Sequence, residues 1–219
     1  MSHKVHPYAH RLGILRDWKS RWFGVDRKYR DFLKGDVLIR QYLEKKLLDF
    51  FVADVIIERS KNTIRIMIKP SRPGMIIGRN GEGMEKLRKE LKSFMIKNKI
   101  FDKDIETKIE VEEIRSPESN AKLVGLMVRD ALQKRMAFRR VLKQTVEKVM
   151  ANRDVQGVRI RLGGRLNGAD MARTEELKKG RIPLQTLRAD VDFARVRATI
   201  PQGDLGIKVW IYRGEVFNK

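Results

Sequence analysis

The chain has 219 residues, 42% of them hydrophobic, and no cysteine. That length suits one large or two small domains with a real core, and the absence of cysteine excludes disulfides and thiolate metal sites. The formal net charge is +21 with a pI near 10.4, spread as +10 over residues 1–115 and +11 over residues 116–219. Self-repulsion on this scale opposes compaction unless a polyanion neutralises it, so nucleic acid is the first expected partner and an anionic membrane the second. No apolar run approaches membrane-spanning length and no signal peptide opens the chain, so the expectation is a cytoplasmic protein outside any membrane.

Taken in order, the chain opens on a basic arm, residues 1–16, that runs into Trp18 and Trp22 without a clean period. His3, His6 and His10 lack a neighbouring Cys or carboxylate cluster and read as terminal residues, so no metal site is expected. Trp18 and Trp22 either stack on RNA or cover the edge of a core. A short helix is expected over Asp26–Leu33. A clearer one, capped by Gly35-Asp36, runs from Val37 to about Phe51 with Ile39, Leu43, Leu47 and Phe50 at helical spacing. Val52–Glu58 and Thr63–Lys69 read as strands, joined by a hairpin turn at Ser60-Lys61-Asn62.

Met75–Gly83 is the stretch around which this half is organised. Its centre, Ile77-Gly78-Arg79-Asn80-Gly81, is a Gly-x-x-Gly step. Glycines let the backbone turn sharply and approach a partner. Arg79 supplies positive charge and Asn80 a donor or acceptor. The helix that follows starts near Gly81–Glu82 and points its unpaired N–H groups at the same place. Such a loop suits a nucleic-acid phosphate and matches the clamp of the KH fold. A dinucleotide fingerprint fails, because the glycine order is wrong and Pro70 and Pro73 interrupt a strand entering the loop.

After the loop, Met84, Leu87, Leu91, Phe94 and Met95 form the core stripe of a helix, with Lys86, Arg88, Lys89 and Lys92 on its other side. Asn98–Asp104 is a polar connection. Ile105–Ile114 alternates as a strand with a wet, mostly acidic face, which repels phosphate. The order from Val37 is that of a type II KH domain, α-β-β-α-α-β, over residues 17–115. Arg115–Ser119 marks a boundary, with Ser116-Pro117 a good helix start.

Residues 116–219 are expected to form a second domain, two helices on a mostly antiparallel or mixed sheet, giving an α+β chain overall. The first helix spans about Ser119–Arg135 and the second about Ala137–Asn152, with a turn near Met136 that no Gly or Pro marks. Lys134, Arg135, Arg139, Arg140 and Lys143 fall in a window free of acids between Asp130 and Glu147. Arg139, Arg140 and Lys143 share one helix face opposite the apolar stripe. The i,i+4 pair Arg139–Lys143 opposes helix stability by a few tenths of a kcal/mol or about that, so phosphate is the better reading of this face. Val158, Ile160 and Leu162 alternate with Arg159 and Arg161. A glycine-rich loop, Gly163–Gly168, carries Arg165. A short helix is expected near Ala169–Leu177 (with Arg173), then the basic run Lys178, Lys179 and Arg181. Leu187–Ile200 reads as a long strand with a bulge near Phe193–Ala194, and Ile207, Val209 and Ile211 make the last strand. Its other face holds Lys208, Trp210 and Tyr212, and Trp210 reads as a packed residue.

The motifs, in this order, resemble the ribosomal protein S-three family of the small subunit, in its bacterial type. They are Lys4-Val5-His6-Pro7 with Arg11-Leu12-Gly13-Ile14, Ile76-Ile77-Gly78-Arg79-Asn80-Gly81, Phe138-Arg139-Arg140, Ala172-Arg173-Thr174-Glu175 with Gly180-Arg181-Ile182-Pro183-Leu184, Leu187-Arg188-Ala189-Asp190, and Gly206-Ile207-Lys208-Val209-Trp210-Ile211. The chain departs from the usual pattern at Asn80, at Asp170 and in the longer linker around Lys97–Asp104.

The resemblance implies a component of the small-subunit head that binds the 3′ major domain of the rRNA. It implies S-ten and S-fourteen as neighbours, with S-four and S-five across the channel through which mRNA enters. It further implies that the helix bearing Arg139, Arg140 and Lys143 faces incoming mRNA and contributes to its unwinding. Arg159, Arg161, Arg165, Arg173, Lys178, Lys179 and Arg181 are expected on rRNA or mRNA backbone. The other reading is a non-ribosomal KH-type RNA chaperone or assembly factor. No cofactor is expected. A lyase would need a singled-out, low-pKa lysine, and no constellation supplies one, so no enzymatic activity is expected.

Overall fold

The computed structural model describes residues 5–60, 63–98, 100 and 106–217. The expected turn at Lys61-Asn62, most of the polar connection Asn98–Asp104, the first residue of the expected strand (Ile105), and His3 and Lys4 lie outside the described residues. The elements are α1 (Pro7–His10), β1 (Ser20–Arg21), α2 (Asp26–Lys46), β2 (Val52–Arg59), β3 (Thr63–Pro70), α3 (Pro73–Ile77), α4 (Glu82–Lys97), β4 (Glu106–Val111), α5 (Ala121–Gln133), α6 (Phe138–Met150), β5 (Gly157–Gly164), β6 (Arg173–Gly180), β7 (Ala189–Ile200) and β8 (Gly203–Glu215). They fall into two compact units. One is Trp18–Arg115; the other joins Met1–Asp17 to Ser116–Lys219.

In the first unit the order from α2 to β4 is α-β-β-α-α-β, that of a type II KH domain. Its sheet runs β1-β2-β3-β4, with β2 and β3 antiparallel and β4 parallel to β3. The alternating isoleucines Ile64, Ile66 and Ile68 turn one face of β3 inward. Ile39 and Leu43 of α2, Leu47 at its C-cap, and Leu87, Leu91 and Met95 of α4 cover that face. Period-2 strands and period-3.6 helices thus present their apolar sides to one core.

Two expected helices are one here. α2 runs unbroken through Gly35 and Asp36, because Asp36 is not a cap. It is a buried side chain that accepts hydrogen bonds from Arg59 Nε, Trp22 Nε1 and Ser20 Oγ, each at 2.8 Å. Tertiary bonding keeps a poor helix former in a helix interior. The same contacts resolve the tryptophans. Trp22 packs 5.3 Å from the Tyr29 ring and 5.5 Å from Phe32, while Trp18 stays 61% exposed.

In the second unit α5 and α6 cover one face of an antiparallel sheet ordered β6-β5-β8-β7. Asn120 caps α5 through its side chain, accepting from the N–H of Lys122 and Leu123. The helix expected near Ala169–Leu177 is instead the edge strand β6. Its residues pair one for one with β5, from Gly157 opposite Gly180 to Gly164 opposite Arg173. The Glu and Lys content favours helix locally, and sheet pairing overrides it.

The bulge lies between Ala189 and Val191, not at Phe193–Ala194, which sit in register with Trp210 and Val209. Alternation along β7 is intact. Phe193 is apolar on the open face because His6 meets it edge-on at 4.7 Å and Trp210 lies 5.0 Å away.

The N-terminal segment belongs to this second unit. Arg11 is fully buried and donates to the carbonyls of Pro7, Pro183, Leu184, Thr186 and Ala189. Desolvation lowers its pKa, with Asp190 acting in the opposite sense.

Candidate nucleic-acid interface

Three groups of expected residues can be placed. The first is the loop between α3 and α4. Gly78 has φ +73°, and a Cβ there would lie 3.0 Å from the Gly83 nitrogen, so the turn admits glycine alone without strain. Asn80 (φ +50°) and Gly81 (φ +84°) are also left-handed, a conformation that Asn tolerates better than most residues. Arg79 and Asn80 are exposed at the tip. Gly81 is the N-cap of α4, and no side chain bonds the helix's first N–H groups. The loop therefore offers an exposed cation beside open backbone donors. Glu82 and Glu85 in the first turn stabilise the helix and limit the positive field to the loop itself.

The second group surrounds the start of α6. Lys134, Arg135, Arg139, Arg140 and Lys143 are all exposed. Lys134 is already paired, 2.8 Å from Asp130. Arg135 makes the turn that no Gly or Pro announced. It takes φ +59°, and Met136 N–H reaches back to the Ala131 carbonyl at 3.2 Å, a Schellman closure normally built on glycine. α6 then starts with no side-chain cap and no acid in its first turn. Arg139 and Arg140 occupy that turn, against the helix dipole, so the arrangement favours an arriving anion over helix stability. Among the described residues Arg140 and Lys143 have no ion pair.

Arg139 is different, because an acidic residue of β6 reaches it. Glu175, the half-buried residue of β6, lies 3.6 Å from Arg139 and 3.4 Å from Arg173. Both guanidiniums sit within 6 Å of the Phe138 ring, at 5.6 Å and 5.8 Å, within cation–π range. Arg173 thereby joins the α6 cations. Strand register brings this about: Glu175 is opposite buried Leu162 and so faces the helix side, which helical spacing over residues 173–180 does not reveal.

The third group divides. Arg165 is committed to its own loop, donating to the Ala169 carbonyl at 2.9 Å and pairing with Asp170 at 3.3 Å. Lys178, Lys179 and Arg181 are exposed and unpaired among the described residues. Lys179 lines a groove with Arg139 and Lys143. Arg159, Arg161 and Lys178 lie on the opposite face of the sheet, since β5 and β6 pair Arg159 with Lys178 and Arg161 with Glu176. Arg159 is held by Glu176 and lies 5.1 Å over the Trp210 ring. Two cations on that same face, Arg195 and Lys208, were not among the expected site residues; strand register is needed to see them beside Arg161.

Two family models match separate stretches of the chain. Residues 38–119 match the family model described as KH domain, and residues 128–211 match that described as Ribosomal protein S3, C-terminal domain. The chain is 43% identical over its whole length to the small ribosomal subunit protein uS3 of Endomicrobium trichonymphae, covering 90% of that protein. It is 42% identical to the uS3 of Xanthomonas euvesicatoria pv. vesicatoria, covering 86%, and 43% identical to that of Alcanivorax borkumensis, covering 91%. A charged two-unit chain with a KH loop, a basic helix start and full-length likeness of this degree belongs to the ribosomal protein S-three family.

Proposed function

We propose that the chain is a structural component of the small ribosomal subunit in the cytoplasm. It holds small-subunit rRNA in the head, beside neighbours of the S-ten and S-fourteen kind, and meets incoming mRNA where S-four and S-five flank the channel. The relatives' names support the ribosomal role. The observation that carries the mRNA role is the start of α6. Arg140 and Lys143 stand exposed and unpaired among the described residues, and Arg139 shares their face under the light hold of Glu175.

Cations placed against a helix dipole and against one another raise the energy of the free protein, and a phosphate relieves both terms. The action is electrostatic and positional. Arg139, Arg140 and Lys143 grip the backbone of the strand being drawn in and keep it single, while translocation supplies the force. The sequence carries no ATP motif, so the protein adds no motor of its own.

The test is the triple variant Arg139→Ala, Arg140→Ala, Lys143→Ala in ribosomes. Assembly is expected to proceed, with slower translation through a stable mRNA hairpin and normal rates on unstructured mRNA. Normal passage through the hairpin would sink the mRNA role. Sedimentation in high salt separates the ribosomal role itself. Stoichiometric retention on translating particles is expected, and presence only on immature particles would point to an assembly factor.

A further inference from the structure

The sheet of the second unit has a second face, opposite α5 and α6. Ile182 and Leu184 cover its Ala189, Val191 and Tyr212 end, and His6 packs on Phe193. Beyond them the face is open, and its side chains can be placed row by row from the register. One row is Lys178, Arg159, Trp210 and Phe193. The next is Glu176, Arg161, Lys208 and Arg195. The third is Thr174, Gly163, Gly206 and Arg197. The middle row sets three cations directly opposite one another on adjacent strands, β5, β8 and β7. Like charges in that relationship destabilise a sheet. At an interstrand spacing of about 4.8 Å, the three Cα atoms span roughly 10 Å.

The carboxylates that face this row are already in use. Glu176 accepts from Arg159 at 2.5 Å and 3.2 Å. Asp204, at the far border, is bound by Arg197 and by Thr199. Arg161, Lys208 and Arg195 have no ion pair among the described residues; Arg195 lies 5.7 Å from the Phe193 ring. On one side of the row Arg159 covers the Trp210 ring, which makes a wall and leaves that ring face no room for a base. On the other side Gly163 and Gly206 contribute no side chain. The nearest atoms to a Cβ built there are 3.6 Å and 3.8 Å away, so a ligand can reach the backbone. Glycines inside strands mark such close approaches.

We propose that this open face is a second RNA site, in which Arg161, Lys208 and Arg195 grip consecutive phosphates of an RNA backbone lying over the Gly163–Gly206 floor. It rests on the RNA-binding reading above and adds to it a surface remote in register from the α6 cations. A run of cations with a wall on one side and bare backbone on the other favours a polyanion with closely spaced charges. An RNA backbone is such a polyanion, and the net charge of +21 favours it.

The test uses the full chain and a transcript of the small-subunit rRNA 3′ major domain, with affinity followed from 0.05 to 0.5 M KCl. The variant is R161Q/R195Q/K208Q. Removing three phosphate contacts should lower the log–log salt slope by about 2, and affinity at 0.1 M by roughly 100-fold if the curves converge at 1 M. The melting temperature should hold or rise, because a repulsive row has been removed. An unchanged slope and affinity would overturn the proposal and leave RNA binding elsewhere intact. A flat salt response of the unmodified chain would instead bring down the RNA-binding reading beneath it. Lysine acetylation of the unmodified protein gives a second readout. Lys208 should be protected when the transcript is bound, and full reactivity in the complex would also overturn the assignment.

Discussion

Asp36 of α2 and Arg59 of β2 form an ion pair in which both side chains are only 3% exposed. The Arg59 guanidinium also donates to the Phe32 carbonyl and lies 5.0 Å from the Phe32 ring. Desolvation pulls its pKa down, and Asp36 opposes that pull. With Trp22 and Ser20 also donating to Asp36, one carboxylate ties the segment before α2 to both the helix and the sheet.

Removing one partner of such a pair strands the other as a buried charge. Asp36→Ala is therefore expected to destabilise the KH unit by about 3–5 kcal/mol. The double variant Asp36→Leu with Arg59→Met should recover most of that loss, since apolar isosteres need no compensation. Urea unfolding followed by tryptophan fluorescence checks both. Equal losses for the single and double variants would show that the pair itself is not what holds the segment.

This pair also shows where the sequence was legible. The isoleucine alternation of β3 and the stripe of α4 could be read directly, because each is a local period facing one core. The Gly78–Gly81 turn could be read because its backbone angles demand particular residues. Asp36 could not: Gly-Asp before an apolar run is the ordinary signature of a helix start, and its true partner, Arg59, lies 23 residues away. β6 failed for the same reason, since Arg-Thr-Glu-Glu-Leu-Lys-Lys has helical propensity and becomes a strand only through pairing with β5. In the basic surface, Arg139, Arg140 and Lys143 stood out as neighbours on one helix. Glu175, Arg195 and Lys208 did not, because their significance is set by which strand lies beside which.

Arg11 makes the N-terminal segment part of the second unit. Its buried guanidinium is the common donor for a loop, residues 183–189, that has little regular structure of its own. Arg16 reinforces it through Asp190 at 2.5 Å. Arg11→Ala leaves several carbonyls without their donor and is expected to cost about 3 kcal/mol or more. Hydrogen exchange should show faster opening of residues 181–189 and of the β7 end near Ala189, with α4 and β3 of the other unit unchanged. Unaltered exchange in that loop would mean that the carbonyls find other donors.

Arg135 sets stability against binding at a single position. A non-glycine residue in the left-handed region carries a strain of about 1–2 kcal/mol, and here the closing turn between α5 and α6 imposes it. Glycine would remove the strain but would also loosen the unfolded chain, which offsets part of the gain. Arg135→Gly should therefore stabilise the second unit modestly, by about 0.5–1 kcal/mol. If Arg135 meets a phosphate, the same change should lower the salt slope of RNA binding by about 0.7. Arg135→Asn separates the two effects. It tolerates the backbone angle and lacks the charge, so it should show the same loss of slope with little change in stability. A glycine variant that gains stability and keeps the full slope would remove Arg135 from the RNA surface and leave its strain without a functional return.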